Sequence, residues 1–147
     1  MLFRFGIPSY AADFLLDTTR SAIQLARQGC LERYPDLRIL LSHGGGFIPY
    51  AAERIAMHCD PDGDMARGLE RLRRFYYDTA LCGPSALPSL LAFVDPARIT
   101  FGSDWPFAPI EATLPLAAAL DGFPMEATRR RQLDRGNAEA LFPRLAV

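Results

Sequence analysis

Three short apolar runs, at residues 37–41, 75–80 and 98–102, are each separated from the next by enough chain to hold one or two helices. That spacing excludes hairpins and points to a parallel sheet, because parallel strands need a long crossover between them. Such crossovers are right-handed and leave their helices outside the sheet. The first run, Leu37-Arg38-Ile39-Leu40-Leu41, is nearly all apolar, as expected of a parallel strand buried on both faces. The second, Phe75-Tyr76-Tyr77-Asp78-Thr79-Ala80, is rich in aromatic residues that suit a pleated surface. Before them, residues 10–28 place Phe14, Leu15, Thr18, Ala22, Leu25 and Ala26 at helical spacing, with Ser9 as N-cap and Gly29 as stop. Further helices are expected from residue 48 or 49 to 58, and over 65–74, 84–93, 111–120, 125–135 and 137–142.

Composition narrows the function classes. The chain has 147 residues, about half of them hydrophobic. That is enough for one core but short of the roughly 250 residues of a complete eight-stranded barrel. Its 16 basic and 17 acidic residues are interspersed, which argues against nucleic acid as a partner. Every basic residue is arginine, so Schiff-base, pyridoxal-anchoring and carboxylated-lysine chemistries are excluded within this sequence. Cys30, Cys59 and Cys82 are odd in number and widely spaced, reading as reduced thiols of a cytoplasmic protein. Residues 1–6 lack an apolar h-region, and no stretch approaches the ~20 apolar residues of a membrane span.

Two polar clusters stand at the ends of strand-like runs, Ser42-His43-Gly44-Gly45-Gly46 and Gly102-Ser103-Asp104-Trp105-Pro106. Barrels and parallel sheets place functional groups at the carboxyl ends of their strands. An imidazole and a carboxylate there read as parts of one metal site, yet a catalytic transition metal takes about three or four ligands, so the sequence carries half of an active site. His43 is followed by three glycines that leave a ligand room to approach imidazole and backbone. The alternative is a turn histidine bonded to a carbonyl. The glycines match neither dinucleotide nor P-loop spacing, and an oxyanion-hole role would require a G-x-S-x-G elbow that the sequence lacks.

Asp104 can coordinate a metal and take a proton from its water, or can cap a turn beside proline. Arg54 can clamp a substrate carboxylate, or pair on the surface with Glu53 or Asp60. His58 reads as solvated or packed. Asp78, near a strand end, either orients a ligand through an intermediate group or caps the next turn. Trp105 and Phe107 line an apolar pocket or fill core.

Four segments carry a resemblance: Asp17-Thr18-Thr19-Arg20, residues 34–50 around Leu41-Ser42-His43-Gly44-Gly45-Gly46, Phe101-Gly102-Ser103-Asp104-Trp105-Pro106-Phe107, and Gly136-Asn137-Ala138-Glu139-Ala140-Leu141-Phe142. Together they resemble the amidohydrolase-related family, above all its decarboxylase branch, which acts on aminocarboxymuconate semialdehyde, hydroxybenzoates and methylsalicylate. The resemblance covers almost the whole chain. It implies an α/β fold, the C-terminal half (strands six to eight) of a distorted TIM (β/α)8 barrel, with residues 1–147 as one partial domain. By the same resemblance Asp104 is the metal-binding aspartate after strand eight. His43 is the acid/base histidine after strand six, Arg54 binds the substrate carboxylate, and Phe107, beside Trp105, lines the pocket.

The family's first-strand H-x-H pair and its histidine after strand five are absent from this sequence. The resemblance therefore implies a divalent metal, zinc or manganese, whose remaining ligands lie outside this chain. A truncated gene or a misplaced start codon would produce such a sequence. The implied activity is decarboxylation of an aromatic or unsaturated carboxylic acid by the complete enzyme, a homo-oligomer, with this chain inactive alone and no membrane or nucleic-acid partner. Hydrolysis of an ester, lactone or amide would use the same groups, and a non-catalytic half-barrel remnant is the third reading.

Overall fold

The computed structural model describes residues 6–146; residues 1–5, part of the segment read as lacking an h-region, lie outside the described residues. Three strands, β1 (Leu40–Leu41), β2 (Tyr76–Asp78) and β3 (Ile99–Thr100), form one sheet in the order β1-β2-β3. Both pairings are parallel, aligning Leu41 with Tyr77 and Tyr77 with Ile99. All three strands are shorter than the apolar runs that contain them. Ile39 still contributes its carbonyl, which accepts the Tyr76 N–H at 2.9 Å, while Arg38 before it donates its guanidinium to the Pro35 carbonyl at 2.9 Å.

The eight helices assigned among the described residues are α1 (Ser9–Arg27), α2 (Cys30–Arg33), α3 (Ala52–Cys59), α4 (Met65–Arg73), α5 (Leu87–Phe93), α6 (Ile110–Asp121), α7 (Ala127–Arg131) and α8 (Asn137–Leu141). A wider π turn, Gln132–Gly136, joins α7 to α8. The residue before α1 is Pro8, and Ser9 opens the helix instead of capping it. Gly29 does stop that helix, in a left-handed conformation, and the short α2 follows where no helix was expected. Phe14 points outward, and the buried stripe of α1 is Thr19, Ala22 and Ala26.

Burial of β1 on both faces is not observed: Leu41 is 6% exposed and Leu40 is 40% exposed. The row Leu41, Tyr77 and Ile99 is buried in the hydrophobic core with residues of α1, α3, α4 and α5. Burying one such side chain contributes about 1.5–3 kcal/mol, so this row is a main source of the sheet's stability. The opposite row carries Leu40 and half-buried Tyr76, with the Arg98 guanidinium 4.9 Å over the Tyr76 ring.

The two sheet edges differ. On the outer edge of β3, the Phe101 N–H donates to the Leu133 carbonyl at 3.0 Å. The Asn137 side-chain amide donates to the carbonyls of Ile99 and Pro96, each at 2.7 Å. The chain thus seals that edge with its own C-terminal helical region, while β1 has no strand on its far side among the described residues. Asn137→Ala would strand two carbonyls at a buried site. The expected loss is about 1–3 kcal/mol of unfolding free energy, read by urea denaturation.

Candidate active site

The loops leaving the three strands at their carboxyl ends hold every left-handed non-glycine residue among those described. His43 (φ 54°) follows β1, Leu81 (φ 54°) follows β2 and Asp104 (φ 67°) follows β3. Such conformations are costly without glycine, and they concentrate where a structure holds side chains in place for function. Thr79 and Gly102 tie two of these loops together, the Gly102 N–H donating to the Thr79 hydroxyl at 3.2 Å.

His43 lies in a short 3-10 turn, His43–Gly45, directly beyond β1. Its imidazole makes no hydrogen bond with a described residue, so it is not the carbonyl-bonded turn histidine. Its backbone N–H donates to the Asp78 carboxylate at 2.8 Å. The glycines that follow have a different purpose from the one their sequence suggests. All three are left-handed, and the space a Cβ would occupy belongs to the protein rather than to a ligand. A Cβ on Gly44 would lie 2.8 Å from the Cys82 sulfur, one on Gly45 2.4 Å from the Tyr77 ring, and one on Gly46 2.3 Å from the Leu15 carbonyl oxygen. The expected open approach to the backbone is thus closed by packing. Thr19, which periodicity did not single out, completes the fit: its hydroxyl accepts the Phe47 N–H at 2.9 Å and donates to the Leu15 carbonyl at 2.7 Å.

Asp104 is half-buried, and its carboxylate has no hydrogen bond or ion pair with a described residue. The turn is capped by its neighbour instead, the Ser103 hydroxyl accepting the Trp105 N–H at 3.2 Å. Turn chemistry alone therefore does not account for Asp104. Trp105 is 59% exposed and Phe107 92% exposed, so neither fills core. Arg54 is exposed on α3 and forms no ion pair among the described residues, neither with Glu53 nor with Asp60, which is bonded elsewhere. The Asp60 carboxylate accepts from Arg67 at 3.1 Å and from the N–H groups of Asp62 and Asp64. Burial pushes the Asp60 carboxyl up, but these donors outweigh it and hold it below the usual carboxylate range. His58 is exposed, in keeping with the solvated reading.

Burial raises the Asp78 carboxyl, opposed by the N–H groups of Ala80 and His43. Beside it, burial pushes the Cys82 thiol up to about 12, which keeps it protonated and inert. No group of three or more histidine, cysteine or acidic side chains among the described residues is placed to hold a metal ion. Catalytic transition metals take about three protein ligands. The donor set of this chain, His43 and Asp104, therefore does not fit a metal by itself.

The sequence model for the amidohydrolase family matches residues 10–144. The 6-methylsalicylic acid decarboxylase of Penicillium expansum is 38% identical over 146 residues, which are 95% of this chain and 45% of that protein. Among solved structures, an amidohydrolase II superposes with a TM-score of 0.84 at 24% identity, covering 95% of this chain and 46% of its own. A dihydroxybenzoic acid decarboxylase of Polaromonas sp. JS666, with bound manganese and the inhibitor 2-nitroresorcinol, superposes with a TM-score of 0.71 at 25% identity, covering 88% of this chain and 40% of its own. These likenesses bear out the fold expected from the sequence, the three parallel strands and their helices forming about half of a TIM barrel. The chain spans less than half the length of the P. expansum relative it matches.

Gly45→Ala combines a left-handed backbone with a Cβ placed against the Tyr77 ring. It is expected to cost about 3 kcal/mol or more, seen as a lowered urea midpoint with unchanged slope. A neutral substitution would mean that the loop stands clear of the core.

Proposed function

The chain belongs to the amidohydrolase family, and from that premise we propose that it supplies the carboxyl-end loops of strands six to eight to a decarboxylase acting on a small aromatic carboxylic acid of the 2-hydroxybenzoate type. The observation that carries this reading is the imidazole of His43 and the carboxylate of Asp104, neither hydrogen-bonded to a described residue and each on a left-handed backbone beyond a strand end. The similarity to 6-methylsalicylic acid decarboxylase supports both the reaction and the substrate class.

In this proposal the bond between the ring carbon and its carboxyl group breaks, carbon dioxide departs, and the electron pair stays on the ring carbon. His43 delivers a proton to that carbon. Arg54 holds the substrate carboxylate, and its free guanidinium on an exposed helix face leaves it available to do so. Trp105 and Phe107 cover the ring; their exposure in this chain supports an apolar contact made with substrate or with the rest of a barrel. A divalent metal, manganese as in the Polaromonas relative or zinc, would bind Asp104 together with ligands contributed by strands one to five. Activity accordingly requires those strands, and this chain alone is inactive.

Two measurements test the assignment. The chain assembled with the strand-one-to-five portion of a relative and supplied with Mn2+ or Zn2+ is expected to release carbon dioxide from 2-hydroxybenzoates. In that assembly His43→Asn should lower kcat by about 100-fold or more while KM changes little. Hydrolysis of esters or lactones without carbon dioxide release would replace the decarboxylase assignment with the hydrolase one. In the same assay Arg54→Met is expected to raise KM about tenfold or more, consistent with loss of a charge-assisted carboxylate contact.

A further inference from the structure

Asp78 closes β2, the central strand, and its carboxylate meets the loops of all three strands. One oxygen, Oδ1, accepts the His43 N–H at 2.8 Å from the β1 loop and the Ala80 N–H at 3.0 Å from its own loop. On the β3 side it rests against Gly102, where a Cβ would lie 3.1 Å from the Asp78 Cβ and Cγ and 3.2 Å from Oδ2. Any side chain at that position would press on the carboxylate and require it to shift by a few tenths of an ångström. The N–H that Asp78 accepts belongs to His43, a residue whose left-handed backbone is otherwise unfavourable. At 2.8 Å the contact is a short, well-formed hydrogen bond, suited to hold such a conformation.

We propose that Asp78 is a positioning residue: by bonding the His43 N–H from the central strand, it fixes the left-handed backbone there and so aims the imidazole over the carboxyl end of the sheet. This rests on the decarboxylase reading for its catalytic consequence, though not for its structural one. The sequence left Asp78 open between orienting another group and capping the next turn. The geometry points to both through one oxygen, since Ala80 is the turn and His43 is the group oriented.

The test separates an acceptor that positions from a charge that reacts. Amide hydrogen exchange, followed by NMR on this chain, reads the His43 and Ala80 N–H groups individually. Asp78→Ala is expected to speed exchange at both by about tenfold or more relative to the rest of the sheet. Asp78→Asn, which keeps a carbonyl oxygen in place of Oδ1, is expected to retain most of the protection. Gly102→Ala, which crowds the carboxylate without removing it, provides a second route should Asp78→Ala not fold; it too should speed exchange at His43, in the loop of a different strand.

In the assembled enzyme Asp78→Ala is expected to lower kcat about 100-fold with KM nearly unchanged, as a misaimed catalytic group would. Asp78→Asn should recover most of that loss. Unchanged His43 exchange in Asp78→Ala, or in Gly102→Ala should the former not fold, would overturn the proposal. So would an Asp78→Asn enzyme that keeps His43 protected yet loses as much kcat as Asp78→Ala, since the carboxylate charge would then take part in proton transfer. If the assembled wild-type enzyme releases no carbon dioxide, the decarboxylase reading fails while the exchange measurements still decide the positioning role.

Discussion

The fit of the glycine loop against Tyr77 is the contact on which the rest of the arrangement depends. Tyr77 is fully buried at the centre of the sheet, its hydroxyl donating to the Leu72 carbonyl at 2.8 Å and its ring meeting Phe93 edge-on at 6.3 Å. It therefore joins β2 to the ends of α4 and α5 on one side and receives Gly45 on the other. Gly45 lies so close to this ring that a Cβ there would fall 2.4 Å from it, while Gly44 and Gly46 are packed in the same way against Cys82 and Leu15. His43, the residue before them, is joined to the same strand as Tyr77 by its N–H bond to Asp78. Interiors packed as densely as organic crystals transmit such constraints, so a loop over a buried aromatic is fixed as firmly as the ring itself.

The architecture was legible in the sequence because it rests on period and spacing. Apolar runs with helical segments between them give parallel strands whatever their side-chain detail, and the alternation at residues 37–41, 75–80 and 98–102 places each strand within its run. What spacing does not encode is where a ladder ends. β1 is two residues long, with Arg38 before it bonded to the Pro35 carbonyl, an interaction local in sequence but outside any periodicity. Thr19 and Asn137 lie in segments that carry the family resemblance, yet their structural roles were not legible for a related reason. Each is a polar side chain whose partners, Phe47 and Ile99, lie far along the chain, and no local pattern reports a partner at that separation.

The candidate site divides along the same line. His43 and Asp104 were identifiable from the strand ends they follow, and at those ends neither side chain is hydrogen-bonded to a described residue. The reason assigned to the glycines differed, because a glycine that admits a ligand and one that admits a neighbouring ring look identical in sequence. Asp78 is the clearest case. As a strand-end aspartate it had two ordinary roles, and only the path of the β1 loop reveals that one oxygen performs both. Asp104 was the reverse, since its local context favoured a cap that Ser103 performs instead.

The sealing of β3 by Asn137 and Leu133 makes the sheet a template with one usable side. A sheet open at both edges can recruit strand after strand into a fibre, whereas one with a single open edge stops after the first addition. The asparagine that holds the C-terminal helical region against β3 therefore also gives the described sheet a direction, leaving β1 as the edge at which a further strand can be added.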